Sequence, residues 1–253
     1  MSTQKITVRS IFISDVHLGS TACQASHLLG FLKTYKSEFL YLNGDIIDGW
    51  ALKRKFYWPQ EHNSVVQKVL KLSKNGTTVA LIVGNHDEFL RAYIGETIGN
   101  ISILDRTIHT TADKKTFLLV HGDAFDVITK YHKWIAVLGD IGYSLLLSLG
   151  NVVSKVRAKF GFTSHWSLAS FIKYKVKNAV QFISNYELNV VQAIRKEEVD
   201  GIMCGHIHHA EIRTYTINDK SIIYMNTGDW CESCTAIVEH LDGRMELIRW
   251  GTQ

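Results

Sequence analysis

Five short apolar runs in this 253-residue chain each end in a polar cluster, and the order of those clusters constrains the fold more than any other feature. Residues 11–14, 39–43, 79–83, 117–120 and 202–204 have the length and apolar content expected of buried strands. They lead into Asp15-Val16-His17, Gly44-Asp45-Ile46-Ile47-Asp48, Gly84-Asn85-His86-Asp87, His121-Gly122-Asp123 and Gly205-His206-Ile207-His208. In an open α/β sheet the strand ends converge on one edge, and sites are built there. Together the clusters offer enough imidazole, carboxylate and amide ligands for two metal ions. In extended backbone the spacing of Asp15 and His17 turns both side chains to one side, so both can grip one ion.

Periodicity fills in the intervening chain. Residues 22–35 read as an amphipathic helix with Leu28, Leu29, Phe31 and Leu32 on its apolar side. Residues 62–74 read as a second helix, with Val65, Val66, Val69 and Leu70 facing inward and Asn75-Gly76 ending it. Between them, residues 49–60 form an aromatic and basic loop (Trp50, Lys53, Arg54, Lys55, Phe56, Tyr57, Trp58). Such a loop can hold a ring or acyl chain and a phosphate, or it can cap the core with aromatics and leave solvated lysines. Residues 101–120 supply two more strands. From 126 to 197 helical spacing dominates, marked by Trp134, Leu138, Ile141, Leu145 and Leu149, then Trp166, Leu168, Phe171 and Ile172. Strands return at 211–217, 221–225, 235–240 and 245–250, and are expected to form the second half of a two-sheet sandwich. The domain organisation expected is one domain over 1–253 with a helical insertion at about 126–197.

Composition rules out several classes. Hydrophobic residues make up 46% and charged residues 21%, ordinary for a globular chain, and a single proline argues against long linkers. The net charge of +4 is too mild to name a nucleic-acid partner, and none is expected. No apolar run reaches the roughly 18 residues of a membrane span. Cysteines at 23, 204, 231 and 234 make no disulfide framework, and with no secretory signal visible the expected compartment is the reducing cytoplasm. Cys231-x-x-Cys234 lacks a second pair and reads as two half-buried thiols; Asn226-Thr227-Gly228-Asp229 reads as a turn without chemistry.

Oxygen and imidazole ligands without thiolate suit Mn(II), Fe, Zn or Mg, with Mn(II) best matched to a mixed hard and borderline set. Asp45 is placed to bridge two ions at roughly 3.5–4 Å, the arrangement that activates water and clamps a phosphoryl group. His86, oriented by Asp48, would lie beyond the metals to stabilise phosphoryl oxygens or protonate a leaving group. Asn85, His86 and Trp50 are the expected substrate contacts. Lys173 and Lys177, four apart on one helical face, join them if that face meets the site. Asp87, Asp123 and Asp126 are expected to anchor turns, and His209 and Glu211 have no spacing that demands a ligand role.

The combined pattern DxH, GDxxD, GNHD, HGD and GHxH, in unbroken order over residues 10–240, resembles the calcineurin-like metallophosphoesterase superfamily. That resemblance implies a four-layer α/β/β/α sandwich, here with a helical lid. It implies that Asp15, His17, Asp45 and His208 hold one ion, and Asp45, Asn85, His121 and His206 the other. It also matches His86 and Asp48 to the family's catalytic histidine and its carboxylate partner. The chain is further similar to the UDP-2,3-diacylglucosamine diphosphatase branch in Gly44-Asp45 followed by Trp50, in the insertion after residues 121–123, and in Val190-Val191 leading toward Gly205-His206. That similarity implies cleavage of UDP-2,3-diacylglucosamine to UMP and 2,3-diacylglucosamine 1-phosphate in lipid A synthesis, by a protein peripheral on the cytoplasmic face of the inner membrane. The insertion, with Lys155, Arg157 and Lys159 after its apolar stretch, would then shelter acyl chains and touch anionic lipid; otherwise it is a helical cap with its own core. Some members of that branch carry arginine where this chain has His86. Two other expectations stand beside it: a phosphomonoesterase or phosphodiesterase acting on a soluble nucleotide, and a scaffold without turnover, which would be expected to have lost ligands.

Overall fold

In the computed structural model, which describes residues 5–125 and 168–251, the five apolar runs are inner strands of two stacked sheets. β1 (Ile6–Thr7) pairs in parallel with β3 (Tyr35–Lys36) as a small ribbon. β2 (Ser10–Ile13), β4 (Phe39–Asn43) and β5 (Thr78–Ile82) lie parallel in a seven-stranded sheet. β6 (Thr97–Ile98) and β7 (Ile101–Leu104) complete one side of it. β8 (Arg106–Thr110), β9 (Thr116–Val120), β10 (Gly201–Cys204), β11 (Glu211–Ile217) and β12 (Lys220–Asn226) form a five-stranded sheet in the order β11-β12-β10-β9-β8. Residues 101–120 therefore hold three strands rather than two.

The C-terminal strands do not build one sheet by themselves. β11 and β12 extend the smaller sheet, whereas β13 (Thr235–Glu239) crosses to the larger one and pairs antiparallel with β2, with β14 (Met245–Arg249) outside it. The physical reason is burial: every residue of β13 is buried, so both its faces need cover, which an inner position supplies.

The layers follow from side-chain alternation. Phe12, Tyr41, Ala80 and Ile82 of the larger sheet pack against Phe117, Leu119, Met203 and Met225 of the smaller one. On the outer face of the larger sheet, α1 (Ala25–Thr34) and α3 (Gln60–Lys74) set Leu28, Phe31, Leu32, Val65 and Val69 against Ile11, Ile13, Leu40 and Leu42. Truncating a side chain as buried as Phe31 to alanine is expected to cost about 3–5 kcal/mol. Alternation turns Leu118, Ile202 and Tyr224 to the far face of the smaller sheet, where Val190, Val191 and Ile194 of α4 (Leu168–Ile194) are also buried. Arg213 and Tyr215 of β11 fasten that helix by donating to the Glu187 carboxylate. The architecture is the expected α/β/β/α sandwich.

The helix boundaries shift in instructive ways. α1 begins at Ala25 rather than 22, and α3 begins after Pro59. The buried stripe of α3 is His62, Val65, Val69 and Ser73, which leaves Val66 half-buried and Leu70 exposed. Residues 49–60 are not all loop: α2 (Gly49–Arg54) forms because the Asp48 carboxylate accepts from the Ala51 N–H and caps it.

The chain divides into two compact units, Met1–Asp123 with Glu187–Gln253, and Ala124–Tyr186. The sheets, α1 to α3 and the last turns of α4 from Glu187 belong to the first. Asp126, Trp134 to Leu149, Lys155, Arg157, Lys159 and Trp166 lie outside the described residues. Among the described residues no helix is long and apolar enough to cross a membrane.

Candidate metal centre

Each inner strand ends in a turn that bends its polar cluster back over the sheet edge. Asp15, His17, Asp45, His206 and His208 have φ of 50, 54, 54, 72 and 55°. Five of the seven candidate ligands thus sit in left-handed backbone, at a cost on the order of 1–3 kcal/mol each. Lacing between the turns holds them there. The N–H groups of Val16 and His17 both donate to the Asp45 carbonyl at 3.0 Å, and the Asp15 N–H donates to the Gly44 carbonyl at 3.0 Å. Side chains add to this: the Asp45 carboxylate accepts from the His86 N–H at 2.7 Å, and the Asp15 carboxylate from the His206 N–H at 2.9 Å. Two motif glycines are needed for close approach. A Cβ on Gly44 would enter the His121 imidazole, and one on Gly205 would enter the side chains of Ser14 and Asp15.

The result is two adjoining ligand groups, Asp15 with His17 and His208, and Asp45 with His121 and His206, each with ligand atoms within 4.8 Å of one another. A third set, His17 with Asp45 and His86, joins them, so Asp45 lies where a bridging carboxylate would. His208 Nε2 is 3.2 Å from Asp15 Oδ1 and 3.4 Å from His17 Nε2, while His121 Nε2 is 3.2 Å from Asp45 Oδ2.

The donor set fits divalent cations. Asn85 Oδ1 is buried without a hydrogen-bond partner, and Asp15 Oδ1 and His121 Nε2 are buried facing His208 and Asp45 without a formed hydrogen bond, a costly state for polar atoms unless a cation completes them. His121 Nδ1 donates to the Asn43 carbonyl at 3.1 Å, which directs Nε2 to the site. Burial alone would push His121 down, but the Asp45 carboxylate beside it lifts it to about 10. Burial likewise opposes ionisation of Asp45 and Asp15, yet His121 holds the first well below the usual carboxylate range and His208 lowers the second. The pocket draws positive charge strongly enough to overcome its own dryness.

Asp48 organises two imidazoles. Its Oδ1 accepts from His86 Nδ1 at 3.0 Å, and its Oδ2 lies 3.5 Å from His17 Nδ1. Burial opposes its charge, but the bond from His86 keeps its pKa below the ordinary value. His86 Nε2 is 4.0 Å from Asp45 Oδ2, and the Trp50 ring lies over the His86 ring at 4.2 Å between centroids. Trp50 Nε1 donates to Glu88 at 3.3 Å.

Other residues fall elsewhere. Asp87 anchors the site from beneath, accepting from the N–H groups of Ile46 and Gly84 at 2.8 and 2.5 Å; Asp123 pairs with Arg91 at 2.9 Å. His209 is half-buried, and Glu211 pairs with Arg213. Lys177 is exposed in the second unit, and the side chain of Lys173 lies outside the described residues. Cys231 is partly buried and Cys234 buried. Sequence reasoning gave Ser14 no role and read Asn226 and Thr227 as part of a turn without chemistry. Ser14 Oγ donates to Asp15 at 2.5 Å and lies 2.5 Å from Thr227 Oγ1, while Asn226 Nδ2 donates to the Gly205 carbonyl at 2.7 Å. The signal was the one used for the other clusters, polar residues ending an apolar strand, but without a histidine to draw notice.

Residues 8–210 match the family model described as calcineurin-like phosphoesterase. A protein of Psychromonas ingrahamii named UDP-2,3-diacylglucosamine hydrolase is 25% identical over 252 residues, covering 96% of this chain and 98% of that one. A protein of the same name from Aliivibrio fischeri is 26% identical over 251 residues, covering 92% and 94%. A solved structure of an archaeal phosphodiesterase covers 95% of this chain and 98% of its own, at 13% identity and a TM-score of 0.44.

Proposed function

This chain belongs to the calcineurin-like phosphoesterase family and is a phosphoester hydrolase, and on that premise we propose that it splits the diphosphate of UDP-2,3-diacylglucosamine. The products are UMP and 2,3-diacylglucosamine 1-phosphate. The reaction class is carried by one observation: two adjoining His/Asp groups in which Asp15 Oδ1 and His121 Nε2 are buried without a formed hydrogen bond. The substrate is supported by likeness to proteins of that name along nearly their whole length.

Asp15, His17 and His208 would hold one cation, Asn85, His121 and His206 the other, with Asp45 between; Mn(II) is the proposed metal, with Fe, Zn or Mg as alternatives. Bound there, the pair supplies an activated water and screens charge on the phosphoryl oxygens. The chain's own groups do the rest. With Nδ1 donating to Asp48, His86 turns Nε2 toward the phosphoryl group, to stabilise its oxygens or pass a proton to the leaving group. Trp50 covers one face of His86, and Phe89 packs beside Gly49. Both aromatics are partly exposed, so apolar surface for an acyl chain lies beside the phosphoryl position. The same surface supports a peripheral place at the cytoplasmic face of the inner membrane.

A second reading, hydrolysis of a soluble nucleotide ester, is favoured by His86 standing where some members of the diphosphatase branch carry arginine. The test is UMP release from the lipid substrate by the Mn(II)-loaded chain, beside turnover of cyclic nucleotides and p-nitrophenyl phosphates. Rapid UMP release supports the proposal. An untouched lipid with fast nucleotide cleavage rejects the substrate and keeps the reaction class. Turnover that survives His121→Ala rejects the assigned site.

A further inference from the structure

At the sheet edge opposite the metal centre, α1 and α3 flank an open cavity of about 430 Å³ lined by the exposed Lys5, Lys33 and Lys71, the half-buried Lys68, and Leu29 and Leu72. The placement follows from topology. Both helices start near the ligand-bearing strand ends and run back, so their last turns lead into β3 and β5 where those strands begin. Lys5 enters from the segment before β1, which pairs with β3 at the end of α1.

Part of this has a simple cause. Lys33 and Lys71 occupy last turns of helices, where a cation complements the helix dipole. That does not account for Lys68, half-buried a turn earlier, or for Lys5 on another segment. No carboxylate among the described residues pairs with any of the four. Burial, then the neighbouring Lys5, Lys71 and Lys33, pushes the Lys68 ammonium below its ordinary pKa. Four like charges around one concavity, without a counter-charge among the described residues, are repulsive unless an anion joins them. The volume falls within the range of small-ligand sites, roughly 300–1,000 Å³, and the two leucines suit a short apolar moiety.

We propose that this lysine cavity is an anion site, separate from the metal centre, for a phosphorylated group carrying a short apolar portion. The group comes either from a soluble phosphorylated compound or from an anionic lipid headgroup. Ser64, Gln67 and Asn75 also line the cavity, so their amide signals report on it.

The experiment uses the full, metal-loaded chain. Inorganic phosphate is titrated while the amide NMR signals of Ser64, Gln67 and Asn75 are followed. In parallel, the chain is sedimented with phosphatidylglycerol vesicles and with phosphatidylcholine vesicles. Saturable shifts at these three residues, at least tenfold weaker in Lys68→Glu/Lys71→Glu, are the expected result. Sedimentation with phosphatidylglycerol alone, lost in the same variant, assigns the lipid source; phosphate saturation without sedimentation assigns the soluble one. The proposal is overturned if neither probe engages these residues, or if the variant binds as well as the parent. A second readout guards the conclusion: Lys68→Gln/Lys71→Gln should raise the Tm of the ligand-free chain by relieving repulsion. A lower Tm would show that the lysines only serve the helix ends.

Discussion

Two buried carboxylate–imidazole clusters sit at opposite ends of β2, and they are built on opposite terms. At its start, Glu239 accepts from Arg9, Ser10, the Ala112 N–H and, at 2.8 Å, His109, whose other nitrogen meets Tyr41 at 3.1 Å. Glu239 and Ser10 belong to the larger sheet and His109 to the smaller, so the network ties the two together. At its end, Asp15 and the neighbouring Asn85 and His121 keep buried atoms without a formed hydrogen bond, while Asp15, His17 and Asp45 hold left-handed backbone. A satisfied polar network strengthens a fold; an unsatisfied, strained one is held in place by the rest of the fold and is ready to bind.

The largest effect should come from Asp45→Asn, which removes the shared charge while keeping the shape. Turnover is expected to fall by about 10³-fold or more, as when one member of a catalytic unit is lost, with little loss of Tm in the metal-free chain. A large fall in Tm would place Asp45 in the stabilising class and erase the contrast. Glu239→Ala should do the reverse. It leaves Arg9 and His109 unpaired between the sheets and is expected to cost about 3–5 kcal/mol in denaturant unfolding, with turnover per folded molecule unchanged.

Smaller still is Asp48→Asn, which weakens the hold on both His86 and His17. Loss of such an orienting partner costs about 10–100-fold in activity or metal affinity, and kinetic assay together with metal titration would separate the two. A further test is acid. Burial raises the Glu239 carboxyl, but its hydrogen bonds, led by the one from His109, bring it down to about 2. A folded pKa below the unfolded value gives stability that is full above about pH 4.5 and is lost as pH falls toward 2. The contribution is about 3 kcal/mol, and urea titrations of the parent and Glu239→Gln should converge at the acid end of that window.

The metal end was legible in the sequence because its chemistry is concentrated. A short apolar run followed by Asp, His or Asn states both the strand and its purpose, and five runs locate one edge. The Glu239 end was not legible, since Arg9, His109 and Glu239 are single polar residues spread over 230 positions and meet only after two sheets stack. For the same reason alternation alone could not show that β13 leaves its sequence neighbours to pair with β2. The left-handed turns at Asp15 and His206 were also hidden, because non-glycine residues adopt that conformation only when contacts elsewhere enforce it.

The central claim is that the strained end is a dinuclear cation site. Elemental analysis of the full chain, equilibrated with excess Mn(II) and freed of unbound metal, tests it most directly. Two equivalents per chain, reduced to one or none in Asp45→Asn, is the predicted result; a metal content near zero, or two equivalents undiminished by the substitution, would contradict it.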